Sequence, residues 1–572
     1  MKTLKSIFLL FLAITISVGS IACSTPTNEN SNNSQNSESE SKSETEETEN
    51  TESKTESDET QNTESKTESD ETQTTESKTE SDETQNTESK TESDETQNTE
   101  SKTESESDTD TASDTEETSS SNTTETSNST ETSTQKESTN MTETSEQTTP
   151  PIINTDDVPL TDIPKFTGGR YSKTYNIGSG ISQLFYLSVD KETIDAYVAQ
   201  ISAYGYEKSE ENTINENRFI TCYGKNGLIH LSYLNHNRTL SVILDPLSDS
   251  IYKNSEPKYQ KVTDTSLAVM SLDYENTEAT VSENIHDASG MSYVVTLEDG
   301  RYVILDGGYW HKSSDGASRD ACALYNFLKD NNKRPDGKIV IAAWIFTHDH
   351  SDHHGAFTTF CDYGYADNVE LQYYIQNFGD KSRYKQQPSG WLDSGIPDLI
   401  KSKFKDAKKI IPHTGQKITF CNTTFELMSS HENLVPSLVE WVNDASLIFR
   451  MEANGTKTLF LADAEAQTTR TLVSMYDTSI SSDIMQVAHH GYSGGSVKLY
   501  KLVDPSWSLW PTSQNCFEER TTGGGNGNAQ AQNKWVRDNT TCYVGDKDIE
   551  ILTFIGGETK IATSTYSPNW NK

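Results

Sequence analysis

Between Ser24 and Pro150 the chain contains no Phe, Trp, Tyr, Cys, Leu, Ile or Val, and Ala112 and Met141 are nearly its only apolar side chains. A segment with no apolar surface to bury cannot offset the entropy lost on ordering, so it is excluded from any core and is expected to be disordered. Its 36 acidic residues against 7 Lys leave −29 of the chain's total formal charge of −41. A unit reading TESKTESDETQN at Thr51 begins again at Thr63, Thr75 and Thr87. Repeats of fixed period can build a solenoid, but a unit without an apolar residue has nothing to stack. The segment therefore reads as a charged, self-repelling spacer.

What precedes the spacer reads as an export signal. Lys2 and Lys5 lead into an apolar run from Ile7 to Ile16, short for a membrane span, and small residues follow up to Cys23. The ending Gly19-Ser20-Ile21-Ala22-Cys23 resembles a bacterial lipoprotein lipobox, with Ser20 where that family usually has Leu. The resemblance implies lipidation of Cys23 and a membrane anchor on the outer face of the cell membrane, and plain cleavage with secretion is the alternative. The expected organisation is a signal at 1–23, an acidic linker at 24–165, a small α+β domain at 173–250 and an α/β domain at 260–572.

In the small domain, Leu184–Val189 reads as a strand and Asp190 caps the helix that follows. Ile194, Tyr197, Val198 and Ile201 form that helix's apolar stripe. Arg218–Tyr223, Leu228–Tyr233 and Leu240–Leu244 read as strands, the first two joined at Asn226-Gly227. No catalytic grouping is legible here, and His230 and His236 read as ordinary surface or strand residues. Docking or packing is the expected role. The six cysteines beyond Cys23 form no CxxC pair, so no zinc ribbon is indicated.

In the larger domain, strand-like runs end repeatedly in a polar or metal-binding residue: Asp306, Thr347-His348, Asp463 and His489-His490. Open α/β sheets build sites where strand ends converge. Four of the chain's 12 histidines lie in THDHSDHHGA, Thr347–Ala356, directly after the apolar run KIVIAAWIF. In extended backbone His348 and His350 face one point, and Asp352 and His353 fall one turn later, toward a second. Imidazole and carboxylate are donors that suit zinc, and two ions a few ångströms apart share bridging ligands.

With these motifs in order, the chain from about Gln260 resembles the metallo-β-lactamase superfamily, whose first-ligand motif is His-x-His-x-Asp-His. The resemblance implies an αββα sandwich and a dinuclear Zn²⁺ hydrolase. It implies metal ligation by His348, His350, Asp352, His353, Asp463 and one of His489 and His490, with His490 preferred. Asp306 in VILDGG would buttress the histidine loop, and Asp463 in LFLADAEA would bridge both ions. His431, in ELMSSHENL, would complete the first ion in preference to His413. Asp352 and His489 are the candidate catalytic groups, and His354 reads as part of the surroundings rather than a ligand. The doubled histidine and NDASLIFRME are most similar to the nuclease-like domain of competence DNA-uptake proteins and to the phosphorylcholine esterase of cell walls. Ala462 departs from the usual Gly before the bridging Asp. A Glu at the position of His350 marks flavodiiron relatives, so nitrogen donors there imply zinc and hydrolysis by hydroxide generated at the metals.

The reaction expected is hydrolysis of a phosphoester or phosphodiester. Hydrolysis of a lactone, amide or carbonyl ester is the alternative within the fold, and a non-catalytic surface-binding module the alternative outside it. Without the spacer and the signal, residues 151–572 carry −14. A duplex binder gains affinity by releasing counterions from a basic surface, so tight nucleic-acid binding is not expected. A small phosphoester or a cell-wall end group fits the charge better.

Overall fold

The computed structural model describes residues 160–246, 258–270, 290–309, 314–391, 395–523, 530–545, 548–557 and 560–569. The export segment, Cys23 and the repeats lie outside these residues. Among the described residues no helix is long and apolar enough to cross a membrane, and no disulfide forms.

Folded structure begins earlier than the sequence boundary at residue 165. Ile163 and Phe166 are buried in the core of the small domain, and Tyr197 Oη donates to the Pro164 carbonyl at 3.0 Å. Two apolar residues among prolines show no periodicity, which is why sequence alone misses them. The small domain is one antiparallel sheet of six strands. Their order is Arg170–Asn176, Ser182–Leu187, Thr239–Asp245, Gly227–Leu234, Asn217–Gly224 and Glu207–Ile214. The four inner strands and the helix Ile194–Ser202 match the expected pattern. The two outer strands, RYSKTYN and EKSEENTI, are polar and largely exposed. Charged, polar edges of this kind discourage further strand pairing and carry little apolar alternation to read.

The larger domain is the expected αββα sandwich. One sheet has eight strands, ordered Lys408–Ile410, Val369–Ile375, Ile339–Ile345, Tyr302–Leu305, Tyr293–Thr296, Ser266–Val269, Ile549–Phe554 and Ile561–Tyr566. The other has seven: Lys417–Phe420, Thr423–Ser429, Ile448–Ala453, Thr456–Phe460, Ile484–Gln486, Trp507–Trp510 and Thr541–Val544. Each sheet is parallel in one half and antiparallel in the other. Val295, Leu305 and Ile345 of the first sheet meet Phe425, Leu427 and Phe449 of the second in a dry middle layer. The helices Ser314–Asp330, Ser351–Asp362 and Ile396–Lys403 cover the outer face of the eight-stranded sheet through Phe327, Phe357, Phe360 and Ile400. Strand ends from both sheets then open on one edge, where the polar residues gather.

Candidate metal centre

The strand Ile339–Ile345 is buried along its whole length and runs into Thr347 and His348 before the helix Ser351–Asp362 begins. That change of direction divides the motif. Nitrogen and carboxylate atoms of Asp352, His353, Asp463 and His490 lie within 4.8 Å of one another, and so do those of His348, His350 and Asp463. Asp463 belongs to both groups. Its Oδ1 faces His353 Nε2 at 3.1 Å and His490 Nε2 at 3.4 Å. Its Oδ2 faces His348 Nε2 and His489 Nε2, each at 3.6 Å.

The rings are held by their far nitrogens. His353 Nδ1 meets Asp306 Oδ2 at 2.7 Å, and His490 Nδ1 donates to the Pro511 carbonyl at 3.0 Å. Thr347 donates to Asp306 through its backbone N–H at 2.8 Å and its hydroxyl at 2.7 Å, leaving its oxygen to accept from His348 Nδ1 at 3.1 Å. His489 Nδ1 meets Glu465 Oε1 at 2.6 Å. In all four imidazoles Nδ1 is engaged outward, which leaves Nε2 as the nitrogen turned toward Asp463.

The backbone makes this possible at a local cost. His489 and His490 have φ of 47° and 52°, and Gly491 follows at 76°. Successive left-handed residues turn both histidines inward from one short segment, a conformation that disfavours non-glycine residues. Ala462, the departure from the family's Gly, has φ of 44°, which explains why glycine is usual there. Its carbonyl accepts from His489 N at 2.9 Å and so ties the two motifs together.

Both oxygens of Asp463 and the Nε2 of His348 are buried and meet no hydrogen-bond partner. The approaches of 3.1 to 3.6 Å lack hydrogen-bond geometry. An unpaired buried carboxylate is costly, and a cation between it and the surrounding Nε2 atoms satisfies every group at once. The residues therefore fit two divalent cations. Without them, burial opposes charge on His353, but Asp463 and Asp306 outweigh it and hold that ring well above the usual histidine range. Burial is likewise outweighed at His490, which Asp463 and Asp352 push up to about 9. Burial prevails at His348, which lies well below. Burial would raise Asp463, yet His353, His490, His489 and His348 hold it well below the usual carboxylate range.

The structure does not bring His431 to this cluster. Ser430 caps the turn His431–Leu434, and that turn sends His431 under Gly379, with its Nε2 2.9 Å from Asn377 Oδ1. His489, expected beside the metals as a catalytic group, stands where that third histidine was sought. His230, expected at the surface or in a strand, lies in the strand Gly227–Leu234. It is fully buried between Thr221 Oγ1 at 3.0 Å and the Thr414 carbonyl at 2.9 Å. Sequence reading passed over Glu465 and Asn443, the latter 3.2 Å from His489 Nε2. Glu465 lies two residues after Asp463, and that proximity was the available signal.

A cavity of about 900 Å³ opens over the cluster, lined by His350, Asp352, Asn443, Glu465 and His489 and by the rings of Tyr309, Trp391, Trp441 and Tyr492. Among the described residues, no Lys or Arg lines it.

No family model and no curated protein matches the sequence. Among solved structures the chain is similar to YhfI from Bacillus subtilis, a metallo-β-lactamase fold protein. The identity is 12% over 53% of this chain and 100% of that one, with a TM-score of 0.29. A diphosphatase of the PhnP family shares 14% identity over 49% of this chain and 96% of its own, with a TM-score of 0.29. CmlA, a diiron β-hydroxylase from Streptomyces venezuelae, shares 9% over 52% and 55%, with a TM-score of 0.28. These likenesses concern the path of the chain.

Proposed function

We propose that this protein is a dinuclear zinc-dependent hydrolase of phosphoesters or phosphodiesters, exported and tethered to the outer face of the cell membrane through Cys23. The observation that carries the reading is the convergence of four Nε2 atoms on a carboxylate whose two oxygens have no hydrogen-bond donor. His348, His350, His489 and Asp463 would hold one ion, and Asp352, His353, His490 and Asp463 the other. His489 then takes the place first sought in His431. Nitrogen and carboxylate donors without thiolate suit zinc. Such a pair of cations, when bound, neutralises charge on a phosphoryl oxygen and makes water acidic enough to react near neutral pH.

The protein's own groups shape the rest. Asp306 and Glu465 orient His353 and His489. Asp352 lines the cavity as well as joining the donor group, so it is placed to accept a proton from an attacking water. Aromatic and acidic walls without a basic side chain disfavour a polyanion and favour a small phosphoester or a cell-wall end group. Purified protein should carry close to two zinc equivalents and hydrolyse methyl p-nitrophenyl phosphate, losing activity in chelator and regaining it with zinc. Full activity in chelator would overturn the reading.

A further inference from the structure

Beside the metal-facing cavity lies a second one of about 600 Å³, between the helices Ser351–Asp362 and Ile396–Lys403. Ser351, His354 and Trp391 line both cavities, so the two adjoin across these side chains. His354 is only 9% exposed, and its Nδ1 is buried without a hydrogen-bond partner. The reaction proposed above gives this nitrogen nothing to do.

Trp391 is 41% exposed yet firmly placed. Asp349, between the two histidines of the first motif, accepts from Ser389 Oγ at 2.5 Å and Gly390 N at 2.7 Å through one oxygen. Trp391 N then donates to Ser389 Oγ at 3.1 Å. Gly395 lets the indole lie close, because a Cβ there would come within 2.5 Å of the ring. The indole stacks against His354 with centroids 6.0 Å apart and planes at 24°.

The remaining walls mix Leu399 and Gly355 with hydroxyls and carboxylates, notably Thr358, Asp362, Asp398 and Ser402, and among the described residues include no Lys or Arg. Acidic walls without a cation repel an anionic group. One ring face, rather than several enclosing rings, is a poor site for a quaternary ammonium. A flat aromatic face surrounded by oxygen acceptors matches a ring with an apolar face and hydroxyl edges.

Resting on the hydrolase reading, we propose that this compartment binds a neutral polyhydroxylated ring, a sugar or cyclic polyol, carried by the phosphate whose ester bond is cleaved. Trp391 stacks on that ring, and the Asp362 and Asp398 carboxylates accept from its hydroxyls.

The test is calorimetric titration of the full chain with maltose and with myo-inositol, followed by kinetics on glucose 1-phosphate and methyl phosphate. Saturable binding of at least one of the two rings is expected. Trp391→Ala should weaken it about tenfold, the size of one good stacking contact. Asp398→Asn keeps the volume and should weaken it several-fold. In both variants KM should rise more for glucose 1-phosphate than for methyl phosphate, and an unchanged melting temperature would show that they fold. Binding of neither ring, or binding indifferent to both substitutions, overturns the subsite. Ring binding by a protein inert toward every phosphoester would instead overturn the hydrolase reading and leave a carbohydrate-binding site.

Discussion

Among the described residues, two buried histidine–carboxylate clusters are built from the same residue types and resolved in different ways. One surrounds Asp463. The other lies at the seam between the small sheet and the sandwich, where His413 Nδ1 meets Glu432 Oε1 at 2.7 Å and its Nε2 meets Asp245 Oδ2 at 3.3 Å. Asn377 Nδ2 adds a donor to Glu432 at 2.8 Å, and His230 stacks on His413 with centroids 5.4 Å apart. In the seam the imidazole is itself the cation. Burial opposes its charge, but Glu432 and Asp245 push His413 up to about 10. Burial would raise Glu432, yet His413 holds it down at about 2. Around Asp463 the rings spend Nδ1 on outward partners and turn Nε2 to one carboxylate, neither of whose oxygens is hydrogen-bonded, even though Asp463 raises His353 and His490. Composition and burial do not distinguish a metal site from a structural ion pair here. Whether the central carboxylate is hydrogen-bonded does: Glu432 Oε1 is held by His413 and Asn377, and both oxygens of Asp463 are left open.

The sharpest way to break this contrast is Asp463→Ala. A carboxylate shared by both donor groups should, when removed, take both ions with it. Metal content should fall from about two equivalents toward none and hydrolysis by more than the roughly 10–100-fold typical of a supporting residue. Two tightly held ions in that variant would show that Asp463 is not shared. Next in size, His413→Ala leaves two buried carboxylates without their cation and should cost about 3–5 kcal/mol in urea unfolding, the range for breaking a buried pair. Zinc stoichiometry should not change. Because His413 is raised in the folded state, its stabilisation is fully present below about pH 6.5 and is lost as pH rises through about 10. The wild-type melting temperature should fall across that window, and the variant should show a flatter profile. An identical slope in both proteins would remove His413 as the cation of the seam. The smallest effect is expected from Asp306→Ala, which removes the acceptor of His353 without removing a donor to the metal. Zinc affinity should drop about 10–100-fold with the site still fillable at high zinc. A site that no zinc concentration refills would make Asp306 as indispensable as Asp463.

Much of the sandwich is legible because its inner strands are continuous apolar runs ending in polar residues, as in KIVIAAWIFTHDH and TLFLADAE. His348, His350, Asp352 and His353 follow from spacing along the chain, Asp463 and His490 from the resemblance, and the structure gathers all six. His431 misleads because its position between strands is right while its direction is set by the Ser430 cap, which sequence order does not reveal. The left-handed pair at His489-His490 is visible only as a doubled histidine before glycine. The seam is illegible for another reason: His413 meets Asp245 across a separation of 168 residues. His230, read as a strand residue, shows nothing in its neighbourhood of the sequence to mark a buried partner. The edge strand Arg170–Asn176 escapes because it is exposed almost throughout, and Glu207–Ile214 because its inward face carries Glu210 and Asn212 instead of apolar side chains.

The tether at Asp349 places two separable properties within three consecutive residues. His348 and His350 share a donor group with Asp463, while the residue between them aims the loop that carries Trp391. A substitution at Asp349 would redirect what enters the cavity while leaving every metal donor in place. Such a chain could diverge toward new substrates by changing one side chain, keeping its chemistry intact while its selectivity drifts.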